Sequence, residues 1–179
     1  VVLPTGEVRE FSGGQLDLIA DAEGITGLIS QVTLRVQPLE AVDVVALAVQ
    51  SPSDFQALVQ SLMEARLPIW SMVFINPRMA KLKNQAPVLE HGGHAERVEL
   101  PEAYLLTLAS RQSDSAVVRA LLPDLAAKHH AQWLPQAIAD HEWANRFKLM
   151  TVKRLGPSLV PAEVIVPLAR LGAAMADME

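Results

Sequence analysis

Val42–Ile75, VDVVALAVQSPSDFQALVQSLMEARLPIWSMVFI, passes from one kind of periodicity to another and back. Val42–Val49 is a continuous apolar run broken only by Asp43. A valine-rich run of this length predicts a central strand buried on both faces. Ser51, Pro52, Ser53 and Asp54 then have the composition of a helix start. The serine offers a capping hydroxyl, the proline loses nothing by lacking an N–H in the first turn, and the acid complements the helix dipole. Phe55, Leu58, Val59, Leu62 and Met63 recur at i, i+3, i+4, i+7 and i+8, which makes one apolar face. Pro68 ends that helix, and Trp70–Ile75 predicts a second strand.

Working downstream, Pro77–Pro101 is the least regular segment, with a short helix expected over Arg78–Lys83. Tyr104–Ala109 predicts a third strand. Ser113 or Asp114 can cap a second helix whose apolar face is Val117, Val118, Leu121, Leu122 and Leu125. Pro123 removes one bond from that helix, which predicts an early end or a kink. Gln132–Ile138 is a weaker fourth strand because it contains Pro135. The order strand, helix, strand, strand, helix, strand predicts an α+β fold, a ferredoxin-like antiparallel sheet with helices on one face. Beyond it, Asp140–Thr151 reads as a helix with Trp143, Phe147 and Met150 on one face. Glu163–Pro167 reads as a short strand and Leu168–Met178 as the start of a helix.

Working upstream, Leu39–Ala41 is a linker at which the pattern changes, so residues 1–40 and 41–179 are expected to be separate domains. Asp21–Pro38, DAEGITGLISQVTLRVQP, sets a glycine turn before an alternating run of Leu28, Val32, Leu34 and Val36, which predicts a strand with one buried face. Glycine lacks the Cβ that would hold a neighbour away, so this turn suits close backbone approach. Val1–Phe11 predicts a hairpin about Thr5, Gly6 and Glu7, and Leu16–Ala22 a turn or brief helix.

Half of the 179 residues are apolar, which allows a packed core. No apolar run reaches the roughly 18–20 residues of a membrane span. No secretory leader is visible, and without an initiator Met the chain reads as a piece of a longer protein. It has no cysteine, which excludes disulfides and cysteine-ligated metal within these residues. The net charge of −5 with scattered basic residues argues against a nucleic-acid partner.

The stretch DAEGITGLISQVTLRVQP resembles the end of the FAD-binding domain in FAD-linked oxidases of the vanillyl-alcohol oxidase type. Within that group it looks most like the branch that oxidises D-lactate, glycolate and D-2-hydroxyglutarate. Trp143 and Arg146 resemble the family's Trp-x-x-Arg helix, and Glu163–Pro167, EVIVP, its acidic-x-x-x-Pro strand. The resemblance implies that residues 1–40 close the FAD-binding domain and that 41–179 form most of a ferredoxin-like substrate (cap) domain. It implies FAD as the cofactor of the parent, with contacts at Glu23, Gly24, Gly27, Leu28 and Ile29. The family's glycine-rich pyrophosphate loop and its His-x-Gly-Asp-Gly-Asn-x-His motif are not in these residues, so the piece alone is expected to be inactive. The expected location is cytoplasmic, with the inner face of the membrane as the alternative.

Arg146 is the candidate to hold a substrate carboxylate, since a guanidinium grips a carboxylate through two parallel bonds. The alternative is an ion-paired surface arginine. The branch's threonine, four residues after that arginine, falls on Met150, with Thr151 one step later. Its lysine falls on Pro161, leaving Lys153 and Arg154 as the nearby cations. His91 and His94 beside Glu90 have metal-like spacing, but a glycine loop without a third ligand favours a solvated loop, and no metal is expected. Two functions of different class follow. One is a piece of an FAD-dependent oxidoreductase acting on a small 2-hydroxy acid and passing electrons to an acceptor such as an iron–sulfur domain or subunit. The other is a non-catalytic ferredoxin-like binding or oligomerisation module.

Overall fold

A computed structural model of the chain describes residues 1–87, 98–156 and 164–177. The chain divides into two compact units, Val1–Leu39 and Glu40–Glu179.

The larger unit is built on four strands, β1 (Val42–Val49), β2 (Ile69–Ile75), β3 (Tyr104–Arg111) and β4 (Gln132–Trp133). They lie in the order β2-β3-β1-β4, each antiparallel to its neighbours. Two crossover helices, α1 (Pro52–Glu64) and α3 (Ser115–Lys128), complete the ferredoxin-like order. Both crossover helices cover one face, as expected. There Val45, Leu47 and Val49 of β1 and Leu106 and Leu108 of β3 pack with Phe55, Leu58 and Leu62 of α1 and Val118 and Leu122 of α3. Fully burying one such side chain contributes about 1.5–3 kcal/mol.

The opposite face is covered as well, as the apolar run of β1 predicts, by helices that stand outside the ferredoxin-like order. Val44, Ala46, Ala48, Leu105 and Ala109 pack with Ala80 of α2 (Pro77–Gln85) and with Ile138 and Ala139 of α4 (Gln136–Ala144). The alanines let α4 sit close to the sheet. A strand covered on both sides has no polar face to show, which is why β1 is apolar from Val44 to Val49.

The start of α1 follows its sequence closely. The Ser51 hydroxyl accepts from the Asp54 backbone N–H at 3.1 Å and donates to the Asp54 carboxylate at 2.8 Å. Met63, expected on the buried face, is exposed, as are Val117 and Leu121 on α3. Each helix meets the sheet along a stripe narrower than its apolar pattern. Pro123 lies inside α3 without ending it.

Four further expectations are corrected. The fourth strand stops at Trp133, because Pro135 cannot donate to a ladder and instead opens α4. That helix ends at Ala144, so the expected helix over Asp140–Thr151 is split; a 3-10 segment, Leu149–Leu155, follows. Phe147 and Met150 consequently lie past the helix and are exposed, and do not share one of its faces with Trp143. Val164–Pro167 carries no strand, while Glu163 lies outside the described residues. The tail then forms a 3-10 turn, Leu168–Arg170, and α5 (Leu171–Asp177), as its pattern predicts.

In the smaller unit, the hairpin at the start exists in reduced form. Leu3 N–H donates to Glu7 C=O and Gly6 N–H to Leu3 C=O, each at 2.8 Å. Gly13–Leu18 is a short 3-10 helix. The strand expected after Leu28 is absent: Leu28 pairs with Val2, and Val32, Leu34 and Val36 are exposed. Alternation makes a strand only where another strand completes its hydrogen bonds, and these residues have none among those described.

Candidate functional site

The residues around Arg146 are placed by α4. The approach to the helix is tied to the central strand. Leu134 N–H donates to Ala46 C=O at 2.9 Å, and the Gln136 amide donates to Val44 C=O at 3.0 Å. At the far end, Asn145 closes the helix by donating from its side-chain amide to His141 C=O at 2.8 Å. The chain then turns, and Arg146 folds back on the helix end. Its Nη1 donates to Trp143 C=O at 2.6 Å, a cation placed on the negative end of the helix dipole. The guanidinium carbon lies 3.8 Å from the centre of the Trp143 ring and 4.5 Å from that of Phe147. Cation–π attraction of this kind holds the planar head in a fixed orientation.

A third aromatic completes the cluster. The β2–β3 register slips between Ile69 and Ser71, leaving Trp70 as the extra residue of a bulge. Trp70 meets Trp143 edge-on, ring centroids 5.7 Å apart. No carboxylate pairs with Arg146 among the described residues, so the guanidinium keeps donors for an anion. Of the neighbouring residues, Thr151 donates its hydroxyl to Lys148 C=O at 2.9 Å, and Arg154 reaches Pro87 C=O at 3.4 Å. Met150 is exposed, and Pro161 lies outside the described residues.

The acid nearest to Arg146 in sequence, Glu142, is engaged elsewhere. It is buried, 7 % exposed, and accepts from Lys83 Nζ of α2 at 2.6 and 2.5 Å. His141 Nδ1 lies 3.0 Å from the same carboxylate. Burial alone would raise the Glu142 pKa. The hydrogen bonds from His141 and Lys83, with their charges, outweigh it and hold the carboxyl below its usual value. Sequence reasoning missed this pair and Trp70. The available signal was Glu142 continuing the buried stripe of Ile138 and Ala139, since a charge on a buried stripe requires a partner.

The glycine turn in the smaller unit divides into two kinds of residue. A Cβ on Gly27 would stand 2.8 Å from the Val2 carbonyl oxygen, so the close approach it allows is to Val2. Both backbone groups of Leu28 are bonded to Val2, at 2.8 and 2.9 Å. Gly24 and Glu23 have positive φ, 81° and 49°, and a Cβ on Gly24 would meet nothing within 4 Å. Their backbone groups, and those of Ile29, are unbonded among the described residues. The turn therefore presents open backbone at Glu23, Gly24 and Ile29 that suits a polar cofactor edge, while Gly27 and Leu28 hold the turn.

His91, His94 and Glu90 lie outside the described residues. His129 accepts or donates at 2.8 Å to Ser61 of α1, and its pKa is lowered by burial and by Lys128. No group of three potential ligands able to hold a metal occurs among the described residues.

Residues 39–179 match the protein family described as FAD linked oxidases, C-terminal domain. The chain belongs to the FAD-linked oxidases. The match begins one residue before the compact larger unit and takes in the sheet, α4 and Arg146. Membership makes the parent an FAD-dependent oxidoreductase, and FAD its cofactor. No curated protein matches the chain. No helix among the described residues is long and apolar enough to cross a membrane.

Proposed function

We propose that this FAD-linked oxidase belongs to the branch acting on small 2-hydroxy acids of the D-lactate and glycolate type, and that Arg146 holds the substrate carboxylate. The observation that supports this is the state of Arg146. It is oriented by two rings and a carbonyl, and no acid among the described residues neutralises it. A guanidinium so placed fixes a carboxylate in one plane and so sets the direction of the α-carbon.

FAD, when bound, would supply the redox chemistry, as acceptor for the two electrons and the α-hydrogen of the substrate. The hydroxyl proton leaves to a base outside residues 1–179, and the 2-hydroxy acid becomes a 2-oxo acid. The electrons pass on to an acceptor, for which an iron–sulfur domain or subunit is the candidate. Residues 1–40 then close the FAD-binding domain, with the open backbone of Glu23, Gly24 and Ile29 as its contacts and Gly27 and Leu28 holding the turn that presents them. Residues 41–179 are the substrate domain, inactive alone, in a cytoplasmic enzyme.

The test uses the purified parent. It should show flavin absorbance and oxidise 2-hydroxy acids. Losing a charge-assisted bond costs about 1.5–3 kcal/mol, so Arg146→Ala should raise KM about 10- to 100-fold. Arg146→Lys should fall between. Unchanged kinetic constants in Arg146→Ala would remove the assignment.

A further inference from the structure

Arg146 is four residues after Glu142, the spacing at which an acid and a base on adjoining helical turns pair. The structure does not use that pairing. Glu142 is turned into the interior, where Lys83 donates to both of its oxygens, and both side chains are almost wholly buried, 9 % exposed for Lys83 and 7 % for Glu142. Burying two charges is expensive, and apolar residues of like volume would often serve stability as well. The pair has another consequence, which lies in what it leaves unpaired.

We infer that Lys83 is a positioning residue for the substrate carboxylate: by holding Glu142 it keeps that acid off Arg146, which has no acidic partner among the described residues. This rests on the reading of Arg146 as the carboxylate holder. Lys83 comes from α2 and Glu142 from α4, so the pair joins two elements, while Arg146 lies just past the end of α4. His141, bonded to the same carboxylate at 3.0 Å, is too exposed to replace a buried ammonium. Without Lys83, the carboxylate loses its ammonium partner, and Arg146, four residues on, is the guanidinium at pairing distance in sequence; once paired with Glu142 it has fewer donors for the substrate.

The inference predicts an asymmetry that a merely structural pair would not show. In the parent enzyme, Lys83→Met should raise the KM for a 2-hydroxy acid about tenfold, the scale of one weakened charge contact, with kcat within about twofold. Glu142→Gln, which removes the competing charge, should leave KM within about twofold although the same ion pair is lost. The double variant Lys83→Met/Glu142→Gln should return KM to near the wild-type value, and Lys83→Arg, which keeps the charge, should stay close to it. If Lys83→Met and Glu142→Gln raise KM alike, or the double variant shows no recovery, the inference fails.

A second readout does not depend on turnover. Urea unfolding of the 179-residue chain can be measured for Lys83→Met, Arg146→Ala and their combination. If Glu142 moves to Arg146 when Lys83 is lost, removing Arg146 should destabilise the Lys83→Met background more than the wild type. Additive effects would overturn the inference. Should Lys83→Met fail to fold, equal KM increases in Lys83→Arg and Glu142→Gln would overturn it, since the first retains the charge and the second removes the competitor. Unchanged KM in Arg146→Ala, with non-additive unfolding retained, would instead sink the functional reading and leave the switch of partners standing.

Discussion

Trp70 and Trp143 meet edge-on at 65° because a bulge in β2 displaces Trp70 from the register of its strand. Met72 and Phe74 stand opposite Leu108 and Leu106, which face α1 and α3. Ile69 packs against that same side, so the inserted residue sends Trp70 toward α4. The tryptophan that carries Arg146 is thereby braced from the sheet.

An edge-to-face pair contributes about 0.5–1.5 kcal/mol beyond the area it buries. Trp70→Ala should therefore lower the unfolding free energy of the chain by roughly 1 kcal/mol in urea titrations. Removal of Trp70 should also perturb the fluorescence of Trp143, whereas Trp133→Phe should not. An unchanged midpoint would mean that the ring contact adds nothing.

The acid stability of the protein should depend on Glu142. Its carboxyl titrates below the usual value of 4.5, so its contribution to stability is complete above that value and is lost as pH falls through the lower, folded one. The gap in urea midpoint between wild type and Glu142→Gln should therefore be constant above about pH 5 and should narrow below pH 4.5. A gap independent of pH down to 3 would show that the carboxylate charge is not what the fold uses.

Much of this fold was legible because single residues decided it. Ser51, Pro52 and Asp54 set the start of α1, and the valine run of β1 announced a strand covered on both sides. The candidate site was legible only in Arg146. Its partners come from distant elements: Trp70 from a bulge, which no local pattern marks, and Lys83 from a helix that bonds to α4. The failures have one physical cause. Val32–Val36 and Val164–Pro167 have strand-like composition, but a strand exists only through its neighbours, and neither segment has them among the described residues. Likewise Pro135 acted as a helix opener rather than a flaw in a strand.

Gly27 should tolerate no side chain. An alanine Cβ would stand 2.8 Å from both the Val2 carbonyl oxygen and Val1 Cγ1, and the carbonyl belongs to the backbone that Leu28 binds. Gly27→Ala should break the pairing of Val2 with Leu28, at a cost of about 1–3 kcal/mol for the overpacking. Amide exchange is the measurement: Val2 and Leu28 should lose protection, while Val45 and Leu106 in the sheet of the larger unit keep theirs. Gly24→Ala, which meets no atom, should cost only the strain of a positive φ, of order 1 kcal/mol.

Pro123 offers a change in the opposite direction. It lies inside α3, between buried Leu122 and half-buried Leu125, with its own ring exposed. It has no N–H to give the Arg119 carbonyl one turn back, and its ring crowds that turn. The burial of Val118, Leu122 and Ala126 carries the helix across the missing bond. Pro123→Ala restores the donor without touching the packed face, and an interior proline costs about 3 kcal/mol relative to alanine. Part of that gain is offset because the unfolded chain becomes freer. The variant should be more stable by about 1–2 kcal/mol in urea titrations. A loss of stability would mean that the proline shapes α3 so that Leu122 can reach the core.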